Sequence, residues 1–464
     1  MRGMVEVAVG STNEPALYGR LHNHKFRAAG SRGPSSIHTR RRIAPKRQSI
    51  ARSLLPNLAR NDSELDSLAG GPALDAHRRL PANLRSILSL RDLEGAARKH
   101  LPRPLFGYLQ GGVEDNATLD ANLAAFRKWM LRTNVLVNVS GRSQATRLMG
   151  TDYRSPFGIA PMGLCALFAF DGDIAMARAA EKAGIPYVLS GASLTPMEAV
   201  AKAAPTCGWF QAYIPGEIPR IEALVARVQA AGFGTLVVTV DTADTPNREN
   251  NLRAGFSTPL RPSLRLAWDG LVRPRWLAGT LGRTLLQKGM PHFENSTAER
   301  GVPVISRNVV RQFGLRDHLS WQHVGHIRQR WNGRLVVKGL TSSDDVRRAE
   351  QQGADGVIIS NHGGRQLDAT VPTLAVLPEA VKAKGGMALM LDSGVRRGTD
   401  VIKALALGAD HVLVGRPMAY AAAVGGQAGV SHAIRLLHDE IQRDLALLGV
   451  SCLADLHPDR LLSI

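Results

Sequence analysis

A stretch of ten residues in the C-terminal third of the chain carries side chains that could perform acid–base chemistry on a small anion. It reads Ser-Asn-His-Gly-Gly-Arg-Gln-Leu-Asp-Ala over residues 360–369 and follows the apolar run 356–359, which is typical of a buried strand. A histidine and an arginine three residues apart, with two glycines between them, can direct a base and a guanidinium into the same small space. His362 is therefore a candidate general base, and Arg365 is a candidate anion ligand.

The elements that must position this stretch are eight apolar runs of the kind that form strands: 157–161, 186–190, 208–213, 235–241, 334–338, 355–360, 387–392 and 411–415. Segments with helical spacing and glycine stops lie between most of them, such as 172–183, 196–204, 342–353 and 399–408. This alternation predicts an α/β fold, and eight units favour a (β/α)8 TIM barrel of parallel strands. A doubly wound open sheet is the structural alternative.

A barrel predicts that functional side chains collect at the carboxyl ends of its strands. Polar residues do lie at or just after the ends of most of these runs. Because buried polar groups need partners, so many of them at one end of the strands are hard to explain as packing alone. They are Ser190, Gln211, Tyr213, Thr239, Asp241, Lys338, Ser360, His362, Asp392, Gly415 and Arg416.

Two additions to the barrel are expected. Before it, Ser89 and Asp92 have the spacing of a capping box ahead of a helix over 93–100, and a second short helix should end at 111–112. In the fourth unit, an insertion at about 250–320 interleaves arginines with leucines, prolines and two tryptophans over 260–286. This segment is either a partly ordered lid or oligomer contact, or a membrane surface whose apolar groups dip into the interface.

The net charge of +19 comes mainly from two regions. Residues 1–60 contribute +10 and residues 252–318 contribute +7, so the remainder is close to balanced. Residues 1–80 lack sustained periodicity and are interpreted as a disordered basic extension, with features of a transit peptide. Tyr18 and Phe26 are the only aromatic residues of this extension, too few to interleave with its basic ones, so no nucleic-acid partner is predicted.

The three cysteines are isolated, which indicates a reducing compartment and predicts neither a disulfide framework nor a metal site. No apolar run approaches the length of a membrane span, and the N-terminus lacks the apolar core of a secretory signal. No Gly-x-Gly-x-x-Gly lies between a strand and a helix early in an α/β unit, so a dinucleotide site is not predicted.

The stretch Ser-Asn-His-Gly-Gly-Arg-Gln resembles the active-site signature of the FMN-dependent 2-hydroxy acid dehydrogenases and oxidases. The similarity extends through Leu-Pro-Arg-Pro-Leu-Phe-Gly-Tyr at 101–108, Trp-Phe-Gln-Ala-Tyr at 209–213 and Asp-Ser-Gly-Val-Arg-Arg-Gly at 392–398. It implies an FMN-binding barrel domain over residues 85–450, followed by a tail over 451–464. It also implies the oxidation of an L-2-hydroxy acid to the 2-oxo acid.

The same resemblance implies the site residues. His362 would be the general base, Asp241 its partner, and Tyr213 a hydrogen-bond donor to the substrate oxygen. Arg365 and Arg248 would bind the substrate carboxylate with help from Tyr108, and Ala192 would face the substrate side chain, leaving room for lactate, longer acids or mandelate. The implied cofactor-binding residues are Pro161, Met162, Gly163, Ser190, Gln211, Thr239, Lys338, Ser360, Asp392, Ser393, Gly394, Val395, Arg396, Gly415 and Arg416.

Two positions depart from the family pattern, since threonine is common at Met162 and glycine is usual at Ser393. The alternative function is a barrel that binds a flavin or phosphate ligand without oxidising a hydroxy acid. The electron acceptor, whether a quinone, a cytochrome or O2, stays open. The predicted assembly is a homotetramer in the cytoplasm or on the inner face of the cell membrane.

Overall fold

Parallel strands form a closed barrel in the computed structural model, which describes residues 79–305 and 316–464. The strands of these residues are β1 (Trp129–Leu131), β2 (Thr146–Leu148), β3 (Thr151–Tyr153), β4 (Phe157–Ile159), β5 (Tyr187–Ser190), β6 (Gly208–Tyr213), β7 (Thr235–Thr239), β8 (Arg334–Leu340), β9 (Gly356–Ile359), β10 (Ala388–Leu391), β11 (His411–Val414) and β12 (Leu461–Ser463). Strands β4 to β11 make the barrel in sequence order, and β11 pairs with β4 through Val412 opposite Phe157. This pairing confirms the predicted barrel and excludes the open sheet.

The helices pack mainly on the outside of the barrel. They are α1 (Asp92–His100), α2 (Arg103–Gln110), α3 (Ala117–Ala125), α4 (Cys165–Phe168), α5 (Gly172–Ala183), α6 (Met197–Ala203), α7 (Ile218–Ala230), α8 (Glu249–Ala254), α9 (Leu264–Leu271), α10 (Pro274–Trp276), α11 (Arg283–Lys288), α12 (Trp321–Arg330), α13 (Ser343–Gln351), α14 (Thr373–Ala383), α15 (Gly398–Ala406) and α16 (Arg416–Leu448). A π-helical segment, Leu277–Gly282, joins α10 to α11. Helices α8 to α11 lie in the insertion between β7 and β8.

Two layers of apolar side chains hold the barrel together. One cluster fills its interior with Val188, Val237, Val336, Ile358 and Leu413, each from a different strand. The larger cluster lies between the strands and the helices. Since both faces of each strand are buried, the barrel strands are nearly continuous apolar runs, and their recognition in the sequence rests on that property.

The ends of the domain differ in detail from the expectation. Helix α1 begins at Asp92, whose carboxylate accepts the N–H groups of Leu88 and Ser89 at 3.0 and 2.8 Å. The Ser89 hydroxyl donates to the same carboxylate rather than capping a backbone N–H, so only half of the capping box forms. At the other end, β12 pairs antiparallel with β1, so the predicted tail is tied to the domain. The predicted extension over 1–80 lies outside the described residues up to residue 78.

Candidate active site

A cavity of about 870 Å³ opens at the carboxyl ends of the barrel strands. Of the predicted residues, it is lined by Tyr108, Pro161, Met162, Gly163, Ala192, Gln211, Tyr213, Thr239, Arg248, Lys338, His362, Arg365, Asp392, Ser393, Gly394, Val395, Arg396, Gly415 and Arg416. Three predicted residues, Ser190, Asp241 and Ser360, lie behind the wall and contact the lining side chains instead. The structure therefore brings the whole predicted set to one place.

His362 on the cavity wall pairs with Asp241 directly behind it. The Nδ1 atom of His362 lies 3.0 Å from Oδ1 of Asp241 and 3.2 Å from Oδ2. Because a carboxylate can only accept, Nδ1 carries the proton, which leaves the Nε2 lone pair to accept another. Burial lowers the pKa of His362, and the charge of Asp241 only partly opposes that effect. The resting imidazole is therefore neutral at neutral pH, as a general base must be.

Lys338 supplies a buried positive charge next to this pair. Its ammonium donates to Ser360 Oγ at 2.9 Å and lies 3.2 Å from Oδ2 of Asp392. Burial acts to lower the pKa of Lys338, but Asp392 and Asp241 outweigh it and raise the pKa above its ordinary value. The same Ser360 hydroxyl accepts the backbone N–H of His362 at 3.1 Å, so one side chain behind the wall positions both Lys338 and the backbone of His362.

The loop that carries His362 and Arg365 is anchored to the N-terminal helices. The Asp368 carboxylate accepts the N–H groups of Asp115, Ala117 and Thr118 at 2.8–3.2 Å and so caps the start of α3. Gly364 has a φ of +72°, and a Cβ there would lie 2.6 Å from the backbone nitrogen of Leu119. Glycine is required at that position by both the left-handed backbone and the close approach.

Arg365 and Arg248 are fixed by backbone oxygens before any ligand arrives. NH1 of Arg365 donates to the carbonyls of Tyr108 and Gly111, both at 2.7 Å. Nε of Arg248 donates to the Arg365 carbonyl at 3.0 Å, and its NH2 donates to Gln366. Burial and then the neighbouring Arg365 lower the pKa of Arg248 to about 10. Two adjacent guanidiniums held in this way favour an anion between them.

A second cationic group stands by the last two strands. Arg416 donates to the carbonyls of Leu109, Gly363 and Gly111 at 2.9–3.1 Å, which ties the barrel to α2. Burial, followed by repulsion from Arg365 and a smaller effect of Arg396, lowers the pKa of Arg416 to about 9. Arginines that depress one another's proton affinity are stabilised by a bound anion such as a phosphate.

The hydrogen bonds of Ser393 account for a serine at a position where glycine is usual in the family. The φ of Ser393 is +77°, a left-handed conformation that glycine adopts most easily. The hydroxyl accepts the N–H of Gly363 at 3.0 Å and donates to Oδ1 of Asp392 at 2.8 Å. These two hydrogen bonds offset the backbone strain and link two loops of the site.

Comparison with known proteins assigns the family. The sequence profile of the FMN-dependent dehydrogenases matches residues 97–463. The chain belongs to this family. It is 38% identical over 384 residues to the (S)-mandelate dehydrogenase of Pseudomonas putida, covering 81% of this chain and 94% of the relative. It is 36% identical to the L-lactate dehydrogenase of Pectobacterium atrosepticum, covering 82% and 97%. A crystal structure described as monotopic membrane protein (S)-mandelate dehydrogenase superposes with a TM-score of 0.72 at 36% identity, covering 82% of this chain and all of that one.

Membership of this family confirms FMN as the cofactor, and the polar groups on the cavity wall fit it. Oε1 of Gln211 accepts from Ser190 and from the N–H of Gly191, at 3.2 and 3.4 Å, so its Nε2 is directed away from them. Within the described residues, that buried Nε2 and the buried Thr239 hydroxyl have no hydrogen-bond partner. Orphaned buried donors on a cavity wall are accounted for by a polar planar ligand such as the flavin ring. No group of three or more His, Cys, Asp or Glu side chains in residues 79–305 and 316–464 could hold a metal ion.

A buried arginine on the cavity wall of this FMN-dependent dehydrogenase was not among the residues predicted from the sequence. Arg316 is buried, donates from NH1 to Thr242 Oγ1 at 3.1 Å, and places its Cζ 5.1 Å from the centre of the Tyr213 ring. Burial lowers its pKa to about 10. Its position follows residues 306–315 of the insertion rather than a strand end, so neither a motif nor periodicity marked it.

Proposed function

We propose that this dehydrogenase oxidises the C2 hydroxyl of an L-2-hydroxy acid, with His362 as the general base. The observation that carries the proposal is the His362–Asp241 pair, placed beside Lys338 and the two guanidiniums of Arg248 and Arg365 on the wall of one cavity. FMN, when bound, accepts the two electrons that leave the substrate. The alternative, a barrel that only binds its ligand, gives no reason for a neutral base so close to an anion site.

The two arginines bind and orient the substrate carboxylate. Among the described residues, Nε and NH2 of Arg365 and NH1 of Arg248 make no hydrogen bond, so they are available to a ligand in the cavity. Each guanidinium is already fixed by backbone oxygens, so little side-chain entropy is lost on binding. The ring of Tyr108 lies 4.8 Å from Cζ of Arg365 and completes this wall.

Nε2 of His362 takes either the hydroxyl proton or the α-proton of the substrate. In the first case the α-hydrogen leaves as hydride together with the two electrons, and in the second the hydroxyl proton is released as the carbonyl forms. As the imidazolium forms, the Asp241 carboxylate, already hydrogen-bonded at Nδ1, stabilises its charge. Burial acts to raise the pKa of Asp241, but His362 and Lys338 outweigh it and lower the pKa, so the carboxylate is ionised when it is needed. Burial also raises the pKa of Tyr213, which keeps its phenol protonated as a donor to the substrate oxygen.

Lys338 and the arginines by the last strands would hold FMN. Lys338, Gln211 and Thr239 would face the flavin ring, while Arg396, Arg416 and the backbone of 394 and 415 would bind its phosphate. The positive charge of Lys338 favours electron density on the pyrimidine side of the ring.

Ala192 leaves space at the substrate's C2 substituent. It lines the cavity close to Gly163, where an added Cβ would lie 2.9 Å from the Ala192 Cβ and 3.6 Å from the Tyr108 hydroxyl. A methyl group at this position accommodates a substrate larger than glycolate. Lactate, longer aliphatic hydroxy acids and mandelate are all larger than glycolate. The two relatives described above are named for mandelate and lactate.

We also propose that the insertion contacts a membrane surface and that the enzyme works as a homotetramer on the cytoplasmic face. In α9 and α11, Leu264, Trp268, Leu271 and Leu286 are 60–93% exposed. The (S)-mandelate dehydrogenase structure above is called monotopic in its description. No helix in the described part of the chain is long and apolar enough to cross a membrane. Sedimentation velocity of the purified protein measures the mass of the assembly and so tests the proposed homotetramer.

The experiment that tests the reaction is anaerobic titration of the purified protein with L-lactate and (S)-mandelate. Loss of the visible flavin absorbance is the expected result for the L-enantiomer, and the D-enantiomer is the control. A yellow protein whose absorbance survives every 2-hydroxy acid would support the ligand-binding alternative.

A further inference from the structure

A second cavity, of about 430 Å³, lies outside the active site. It is bounded by the loop at Phe170 and Asp171, by α5, by the insertion from Arg275 to Arg283, and by α16 around Gly425–Gln427. We call it the basic cavity because three arginines, Arg178, Arg275 and Arg283, line it. No part of the reaction described above uses it.

The charge of the basic cavity is not balanced by nearby acids. Its one carboxylate, Asp171, lies 3.7 Å from the ammonium of Lys288. None of the three arginines forms an ion pair with any residue in 79–305 or 316–464. The pKa of His100, also in the wall, is lowered by burial and then by the charges of Arg275 and Arg273. Several uncompensated positive charges around one concavity attract an anion.

The wall of the cavity is partly fixed and partly apolar. The Arg283 guanidinium stacks on the Phe170 ring, with Cζ 3.9 Å from the ring centre. Backbone at Gly425 and Gly426 is non-helical and interrupts α16 at the cavity. Ile174, Ala175, Ala422 and Ala423 add apolar surface beside the arginines. A ligand that suits both parts has an anionic head and an apolar continuation.

The cavity adjoins the surface that we assign to the membrane. Arg283 precedes the exposed Leu286 by three residues in α11, a spacing that makes them neighbours on the helix surface. Arg275 of α10 follows the exposed Leu271, the last residue of α9, across the short turn between the two helices. If the leucines enter the acyl boundary, the arginines stand at the depth of the lipid phosphates.

We propose that the basic cavity binds the phosphate of an anionic phospholipid, with an exposed phosphomonoester as the preferred head group. Guanidiniums bind phosphate oxygens in a bidentate manner, and three of them match a doubly charged monoester better than a shielded diester. The apolar part of the wall accommodates the glycerol and the first acyl carbons. This inference rests on the proposed membrane contact, and it adds a defined lipid site to it.

The test compares two kinds of anionic vesicle with equal surface charge, one containing phosphatidate and one containing phosphatidylglycerol. The full-length holoenzyme should bind the phosphatidate vesicles about fivefold more tightly, and Arg178→Ala combined with Arg275→Ala should remove that preference. The matched control is Arg265→Ala, an exposed arginine of α9 outside the cavity, which should weaken both vesicles equally and keep the preference. Flavin content and turnover with a soluble acceptor should be unchanged in all variants.

The outcomes separate this site from the membrane contact itself. Equal binding to both vesicles by the wild type, with the double variant behaving like the control, overturns the cavity while the membrane proposal stands. If no vesicle is bound, the membrane proposal fails, and calorimetry with monomeric short-chain phosphatidate then decides the cavity alone. Competition by inorganic phosphate as strong as that by short-chain phosphatidate would show a free-phosphate site and overturn the lipid assignment.

Discussion

The active-site cavity and the insertion both concentrate arginines, but they hold them in opposite ways. Arg248, Arg365 and Arg416 are hydrogen-bonded to backbone oxygens and partly desolvated, with lowered pKa values for the first and third. In the insertion, Arg261 and Arg265 line neither cavity and are exposed. A buried guanidinium with a fixed orientation can select the geometry of one small anion, whereas an exposed one is screened by salt and contributes mainly charge. A substitution in one region should therefore leave the function of the other region unchanged.

The largest effect is expected at His362. Replacing it with alanine should slow anaerobic flavin reduction by at least ~10⁴-fold, because general base catalysis typically contributes about 10²–10⁴-fold and the residue also positions substrate. FMN content and vesicle binding should not change. Stopped-flow absorbance measures the rate of flavin reduction.

A second variant controls for the backbone at this position. His362 has a φ of +58°, which asparagine tolerates better than alanine. His362→Asn should therefore fold as the wild type does and be equally inactive. Flavin reduction within tenfold of the wild type in either variant would remove His362 from the mechanism.

Asp241 should affect both the rate and its pH dependence. Asp241→Asn removes the charge that raises the histidine's proton affinity, so turnover should fall about 100-fold. The base must be unprotonated, so kcat/KM falls as the pH drops through the pKa of His362. Since burial holds that pKa below 6.5 in the wild type, the acid limb should lie below pH 6.5 and move lower still in the variant. An acid limb that stays in place would mean that another group titrates.

Arg365 gives the sharpest contrast with the insertion. Arg365→Lys keeps the charge but loses the planar fork and the contacts to Tyr108 and Gly111, so kcat/KM should fall about 100-fold. The matched change Arg265→Lys in the insertion should leave kcat/KM unaltered. If both substitutions are equally harmless, the buried guanidinium does not orient substrate.

The pocket at Ala192 should change substrate choice by a smaller factor. Each buried methylene contributes about 0.8 kcal/mol, so the preference for larger acids over glycolate should be tens-fold rather than absolute. Ala192→Trp should reverse the ranking of kcat/KM for glycolate and (S)-mandelate. A wild type that prefers glycolate, or a tryptophan variant with the same ranking, would contradict the assignment.

The sequence was sufficient for the strands and for the polar residues at their carboxyl ends, because both follow from local patterns. Each of the eight predicted runs overlaps its barrel strand, and the polar residues at the ends of the last seven lie at the cavity or directly behind it. Closure of the barrel depends on β11 meeting β4, a contact between distant segments that no local pattern encodes. The same limit explains why Ser360 and Asp241 were not distinguished from wall residues, and why Arg316 was missed.

The smallest effect is expected from the N-terminal extension. Deleting residues 1–75 should change kcat/KM for a soluble hydroxy acid by less than about twofold, since such tails lack the apolar content to join a core and no site residue lies in them. Vesicle binding is the more informative measurement, because residues 1–60 carry a net charge of +10. The exposed leucines and Trp268 of the insertion should keep the truncated enzyme on anionic vesicles even at high salt, where attraction of a tail is screened. If the truncated enzyme no longer sediments with them, the membrane contact belongs to the extension, and the insertion is left with the lid or oligomer role.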